Sequence, residues 1–196
     1  GCDRGAAAQN SAIAQAVLAR AADSRFADAS TPSRAAVRHL PSGMVCALPS
    51  NGAFDLGAFP NDAANPGAYC SHSSNQVVST VMAVQFGDGV TLDLAFADAL
   101  AATAGQASPR HWDGQGSALD SAPPAGAPHF RVARFEATID GEPRYLRVAM
   151  SEARGWYLEQ ISSGPLSQAT EIETRAGAEW RDLLTNFAQP PRAPAG

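Results

Sequence analysis

The 196-residue chain contains no lysine: all 14 of its basic side chains are arginine. This absence removes Schiff-base and lysine-nucleophile chemistry, and with it the phosphate-binding loop that needs Gly-Lys-Ser/Thr. Cysteine is scarce, three residues in all. No two of them are spaced C-x-x-C, which excludes the usual zinc and thioredoxin-like redox motifs. No apolar run approaches the roughly 20 residues that span a bilayer as a helix. Positive charge is in deficit, 14 cations against 19 carboxylates and a net charge of −5, so no global field gathers nucleic acid. There is also no G-x-S-x-G. The nearest stretch, "GQGSA", lacks the second glycine and a strand–elbow–helix setting.

What is present begins with those cysteines. Cys46 and Cys70 enclose a stretch rich in Gly, Pro, Asn and Asp that is poorly able to hold itself. A disulfide closing a loop of about 25 residues stabilises by about 3–4 kcal/mol on the chain-entropy model. The two cysteines are therefore expected to form a structural bridge, which places the protein in an oxidising compartment. The third cysteine follows a small residue. Gly1-Cys2 resembles the end of a bacterial lipobox, in which the cysteine is lipidated, and an Ala-rich polar segment follows as a spacer would. The resemblance implies lipid attachment at Cys2 and a location on the periplasmic face of a bacterial membrane. Its implied partners are that membrane and a protein of the envelope.

Along the chain, residues 9–23 read as a helix with Ile13, Val17 and Ala21, and Ala14 and Leu18 beside them, on one apolar stripe. Residues 24–39, with Pro32 and small polar residues, read as a linker, so that 1–38 form a tether and helix ahead of a single domain at 39–188. "GMVCALP" is a short strand, 50–67 an irregular loop, and "AYCSHSS" and "VVSTVMAVQF" two more strands. In "GVTLDLAFADALAATAG" strand-like and helix-like spacings compete, and the alanine content, the length and Gly105 favour helix. Residues 105–129 read as a long surface loop. "FRVARFEATID", "PRYLRVAMSEA" and "WYLEQISS" read as three antiparallel strands. A helix follows with Trp180, Leu183, Leu184 and Phe187 on its apolar stripe, and 189–196 read as a disordered tail.

The first hairpin of that trio admits two registers. A loop at Asp140-Gly141 sets Arg134 opposite Arg147, which is repulsive, whereas one at Gly141-Glu142 sets Glu136 opposite Arg147 but puts Pro143 in the closing pair. Either choice places Ala133, Phe135, Ala137 and Ile139 on the same face as Leu146, Val148 and Met150.

Candidate chemistry is sparse. Cys70 and His72 are two apart with no second ligand pair, so no metal site is expected. Ser71 and His72 point to opposite faces of a strand and cannot act as nucleophile and base. No catalytic residue and no cofactor is assigned. The segment to probe for a ligand or partner is the loop at Arg110, His111, Trp112 and Asp113, where an aromatic, a cation and a carboxylate adjoin; alternatively Trp112 pins the loop to the core. Glu171 and Glu173 suit the positive end of a helix dipole. Arg131, Arg134, Arg144, Arg147 and Arg154 read as a solvated face balanced by Glu136, Glu142 and Glu152.

The element order predicts an α+β fold, an antiparallel sheet with packed helices. Over 43–187, with the strand closed at Pro49 and the amphipathic helix around Trp180, that order resembles the Mog1/PsbP/DcrB-like domains of bacterial lipoproteins. "RGWYLEQIS" resembles the closing strand of an NTF2-like cone, the alternative. The expected role is non-enzymatic, binding or assembly support at the cell envelope. The competing reading is a small extracytoplasmic enzyme or ligand-binding domain built around 110–116.

Overall fold

The computed structural model describes residues 2–59, 67–104, 108–116 and 123–187. The fold is α+β. Seven strands form an antiparallel sheet in the order β4-β5-β6-β10-β9-β8-β7. They are β4 (Ala53–Ala58), β5 (Ala68–Ser74), β6 (Val77–Val84), β7 (Arg110–His111), β8 (Phe130–Ile139), β9 (Glu142–Ala153) and β10 (Trp156–Pro165). The sheet is not closed, so it is not a barrel. A second, three-stranded antiparallel sheet holds β1 (Phe26–Asp28), β2 (Ala36–His39) and β3 (Val45–Ala47). The helices are α1 (Cys2–Ala21), α2 (Leu92–Ala104) and α3 (Ala169–Phe187).

Three hairpins in the large sheet turn on two residues with positive φ: Asn75-Gln76, Asp140-Gly141 and Arg154-Gly155. Mirror-image turns of this kind match the twist of antiparallel strands. The β8–β9 turn selects the register with Arg134 opposite Arg147. The repulsion expected of that pair is met from above, because Glu173 of α3 bonds to both arginines.

β9 is buried on both faces from Tyr145 to Ser151. Leu146, Val148 and Met150 point to one side of the sheet, where α2 packs Ala95 against Met150 and Tyr157. Tyr145, Arg147 and Ala149 point to the other side, under α3. The docking helix therefore does not cover the apolar face read from the hairpin but the opposite one. Its stripe of Ile172, Ala176, Trp180, Leu183, Leu184 and Phe187 is buried as expected. Close approach is permitted at Gly164, where a Cβ would lie 2.5 Å from Ile172 Cδ1. At the far end of α3, Arg154 donates to the carbonyls of Phe187 and Ser42, both at 2.8 Å, and so satisfies a helix C-terminus.

Several local expectations shift. Residues 24–39 carry β1 and β2 rather than a linker, and Phe26 and Val37 join the main core with Ala14 and Val17 of α1. The buried stripe of α1 is Ala14, Val17, Leu18 and Ala21, as expected except at Ile13, which is 46% exposed. Within 50–67, residues 53–58 form β4, and 60–66 lie outside the described residues. In α2 the helix reading holds: Thr91 Oγ1 accepts from the Leu94 amide at 3.2 Å, and Leu94, which strand alternation would bury, is 58% exposed. The tail at 189–196 also lies outside the described residues. No described helix is long and apolar enough to cross a membrane.

Candidate functional site

One groove lies between α3, β3 and the β4–β6 edge of the large sheet. In β5 and β6, alternation sends Cys70, His72, Ser79 and Val81 to the face beneath α3, and the register sets His72 directly opposite Ser79. α3 adds Glu179 and Asp182 from the edge of its apolar stripe. β3 adds Val45, Cys46 and Ala47, and Phe54 of β4 closes the outer wall. The result is a cavity of ≈ 280 Å³, next to a smaller one of ≈ 120 Å³ that shares His72, Ser79 and Glu179 as lining.

The expected bridge Cys46–Cys70 is present, with its Cα atoms 6.5 Å apart. It links β3 of the small sheet to β5 of the large one, and it forms part of the groove wall. The bridge thus ties the two sheets together beside the cavity. Cys2 is the first residue of α1.

The polar groups of the groove have defined partners. Glu179 Oε1 accepts from Ser79 Oγ at 2.9 Å and from Gln160 Nε2 at 2.7 Å. Ser79 Oγ also lies 3.2 Å from Ser162 Oγ. Arg34, in the turn between β1 and β2, pairs with Asp182 at the rim. Chemically this is a pocket with aliphatic, aromatic and disulfide walls, an imidazole, and a carboxylate with one oxygen already saturated. Ser79 directs its hydroxyl proton to Glu179, not to His72, so Ser79 and Glu179 form a polar floor beside the imidazole rather than a nucleophile–base relay with it.

The loop segment is placed differently. Trp112 is buried, stacked edge-on against Tyr145 with centroids 5.1 Å apart, and pins the loop to the core. Arg110 pairs with Glu136 at 2.5 Å, while His111 and Asp113 are exposed. The four residues therefore point apart rather than converge.

The arginine cluster is not simply a solvated face. Arg147 is fully buried, Arg134 is half-buried, and both bind Glu173, which is 2% exposed. Tyr145 donates to the other oxygen of Glu173. Burial, reinforced by that carboxylate, holds the Tyr145 hydroxyl far above the usual tyrosine range. Glu173, read from its position as a helix-dipole residue, is the hub of a buried ionic network. Of the histidines, His39 is buried between Phe26 and Trp156 with Nδ1 2.7 Å from Ser42 Oγ. Burial, then the Arg25 charge, pushes it down to about 4. His129 is exposed. Among the described residues, no group of three or more His, Cys, Asp or Glu is arranged to hold a metal ion.

Sequence reasoning missed Ser79, Glu179 and Arg34. The alternation of β6 could have placed Ser79 on the inner face. Nothing local signals the Arg34–Asp182 pair, which spans 148 residues.

Fold and groove define an α+β protein with a small disulfide-walled pocket. No family model matches the chain, and no curated protein matches it in sequence. Among solved structures, a Pseudomonas aeruginosa protein of unknown function aligns with a TM-score of 0.35 and 11% identity, over 76% of this chain and 92% of its own. LpqN of Mycobacterium tuberculosis, a protein involved in cell envelope biogenesis, aligns with a TM-score of 0.34 and 10% identity, over 86% of this chain and 92% of its own. Similarity this low transfers no role.

Proposed function

We propose that the protein works outside the cytoplasm as a non-enzymatic binding module of a bacterial envelope, anchored by lipid at Cys2, with the groove beside Cys46–Cys70 as its docking point. The observation that carries this reading is the bridge itself, because disulfides persist in oxidising compartments and this one shapes the groove wall. The cavity, at ≈ 280 Å³, is smaller than most drug-sized ligand pockets and suits a partner's side chain or a small polar molecule. Cys2 is left over from the bridge and starts α1, whose next residues Asp3, Arg4 and Gly5 are exposed.

Intact mass spectrometry of the protein from its native membrane fraction tests the compartment and the anchor together. The expected mass shows two hydrogens missing at Cys46–Cys70 and an acyl addition at Cys2. Free thiols at all three positions would overturn both. For the groove, a photocrosslinking residue at Phe54 is expected to capture a discrete partner that the same residue at Leu94 does not. Equal yields at the two positions would sink the docking assignment.

A further inference from the structure

On the opposite face of the sheet from the groove, one row of three side chains stands apart. The register places Glu159 of β10 directly between Met82 of β6 and Met150 of β9. Residues directly opposite in antiparallel strands share a face, with Cβ atoms about 5 Å apart. A thioether, a carboxylate and a second thioether therefore stand side by side. Two of the protein's three methionines are spent here.

Glu159 is 8% exposed, and no hydrogen bond or ion pair reaches it among the described residues. Its side chain is nearly buried while its carboxylate oxygens keep a contact with solvent, and carboxylates in such settings are commonly paired, hydrogen-bonded or bound to a cation. The nearby ionic groups are engaged elsewhere. Arg131, one strand beyond Met150, pairs with Asp93 of α2 at 2.6 Å. Tyr69, one strand beyond Met82, donates to Asp55 at 3.0 Å. Tyr157, two residues before Glu159 on the same face, donates to the Val90 carbonyl at 2.8 Å. Met150 is 1% exposed beneath α2, whereas Met82 is half-buried, which leaves an approach from the β6 side.

Thioether sulfur is a soft, uncharged donor that suits monovalent copper, whereas magnesium and calcium take oxygen ligands. A single anionic oxygen beside two such sulfurs neutralises one positive charge and no more. We infer that Met82, Glu159 and Met150 form a site for one soft monovalent cation, Cu(I) or its redox-inert stand-in Ag(I). The site is separate from the groove and holds whether or not the groove binds a partner.

The test is titration of the Cys2→Ser protein, disulfide intact and without lipid, with Ag(I) in chloride-free buffer; the substitution removes the one cysteine outside the bridge, whose unmodified thiol would compete. The methyl resonances of Met82 and Met150 are expected to shift together and saturate at one equivalent, with Met44 unmoved. Met82→Leu, at a half-buried position that tolerates the change, is expected to weaken binding at least tenfold, and Glu159→Gln to do likewise. Excess Zn(II) should not displace the ion. Unshifted Met82 and Met150 methyls at one equivalent, or unchanged affinity in Met82→Leu, would overturn the assignment. In either case Glu159 is simply a buried carboxylic acid.

Discussion

Arg134 and Arg147 stand directly opposite each other in the β8–β9 ladder, and one carboxylate, Glu173, binds both. Like charges at such positions destabilise a hairpin on its own. Here the hairpin register and the docking of α3 are one event, because the helix brings the counter-charge. Breaking a buried ion pair by removing one partner costs about 3–5 kcal/mol, since the other charge stays buried. Glu173→Gln is therefore expected to lower unfolding stability by that order, measured by urea titration. Glu171→Gln, at an exposed position two residues before it, is expected to change it by less than about 0.5 kcal/mol. Equal effects would mean that Glu173 acts only through the helix dipole.

The Cys46–Cys70 bridge closes a separation of 24 residues and joins the two sheets. Its removal as the double Ser variant is expected to cost about 3–4 kcal/mol. Because both cysteines line the groove, the same variant should loosen β3 against β5. Hydrogen exchange is expected to rise in 45–47 and 68–74 before it rises in β9. Uniform exchange across the sheet would contradict a local tie.

Trp112 separates an anchor from a ligand loop. Truncating a buried aromatic costs about 3–5 kcal/mol, so Trp112→Ala should be strongly destabilising through its lost contact with Tyr145. Arg110→Ala, which breaks only an exposed pair with Glu136, should change stability by about 0–1 kcal/mol. Thermal denaturation of the two variants distinguishes the roles. A fully stable Trp112→Ala would return the loop to the list of binding candidates.

Two buried groups titrate in opposite senses. His39 is pushed down to about 4, so as pH falls below its unfolded value of 6.5 the unfolded chain takes the proton first and stability is lost. Glu159 is pushed up to about 7 by burial, so as pH rises above 4.5 the unfolded chain gives up the proton first and stability is again lost. Each effect is worth about 3 kcal/mol when fully developed. In metal-free buffer they oppose each other between pH 5 and 6.5, and the wild-type curve should be nearly flat there. Glu159→Gln removes one limb, and its stability should rise with pH across that window. A flat curve for that variant would show that His39 is not held neutral.

The β5–β6 turn offers a gain. Gln76 sits at φ 66°, where a residue with a Cβ is strained, and Asn-Gly is the favoured pair for this turn. Gln76→Gly is expected to stabilise by about 1 kcal/mol, read from the denaturation midpoint. A loss of stability would show that the strain is offset elsewhere.

Local patterns carried much of the fold. The three strands from Phe130 to Pro165, α2 and α3 could be read from alternation, helical spacing and turn residues, because neighbours along the chain suffice to determine them. β1, β2 and β4 could not be read. They are three to six residues long, and their polar, Ala-rich sequences form strands only because partners are supplied from elsewhere in the chain. The same limit applied to the groove: His72 and the cysteines were visible as residues, whereas Glu179 and Arg34 acquired meaning only once α3 lay across the sheet.

Composition, spacing and periodicity were enough to tell which chemistries are missing, where the bridge forms, and which face of α3 is buried. Periodicity and loop entropy act within a segment, and a segment carries their full record. Only the tertiary structure decided that α3 covers the arginine side of the hairpin, that Glu173 reconciles Arg134 with Arg147, and that Glu159 lies between two methionines. Those outcomes depend on pairing between distant segments. Desolvation, which makes a buried charge seek its partner, has no value until such segments have met.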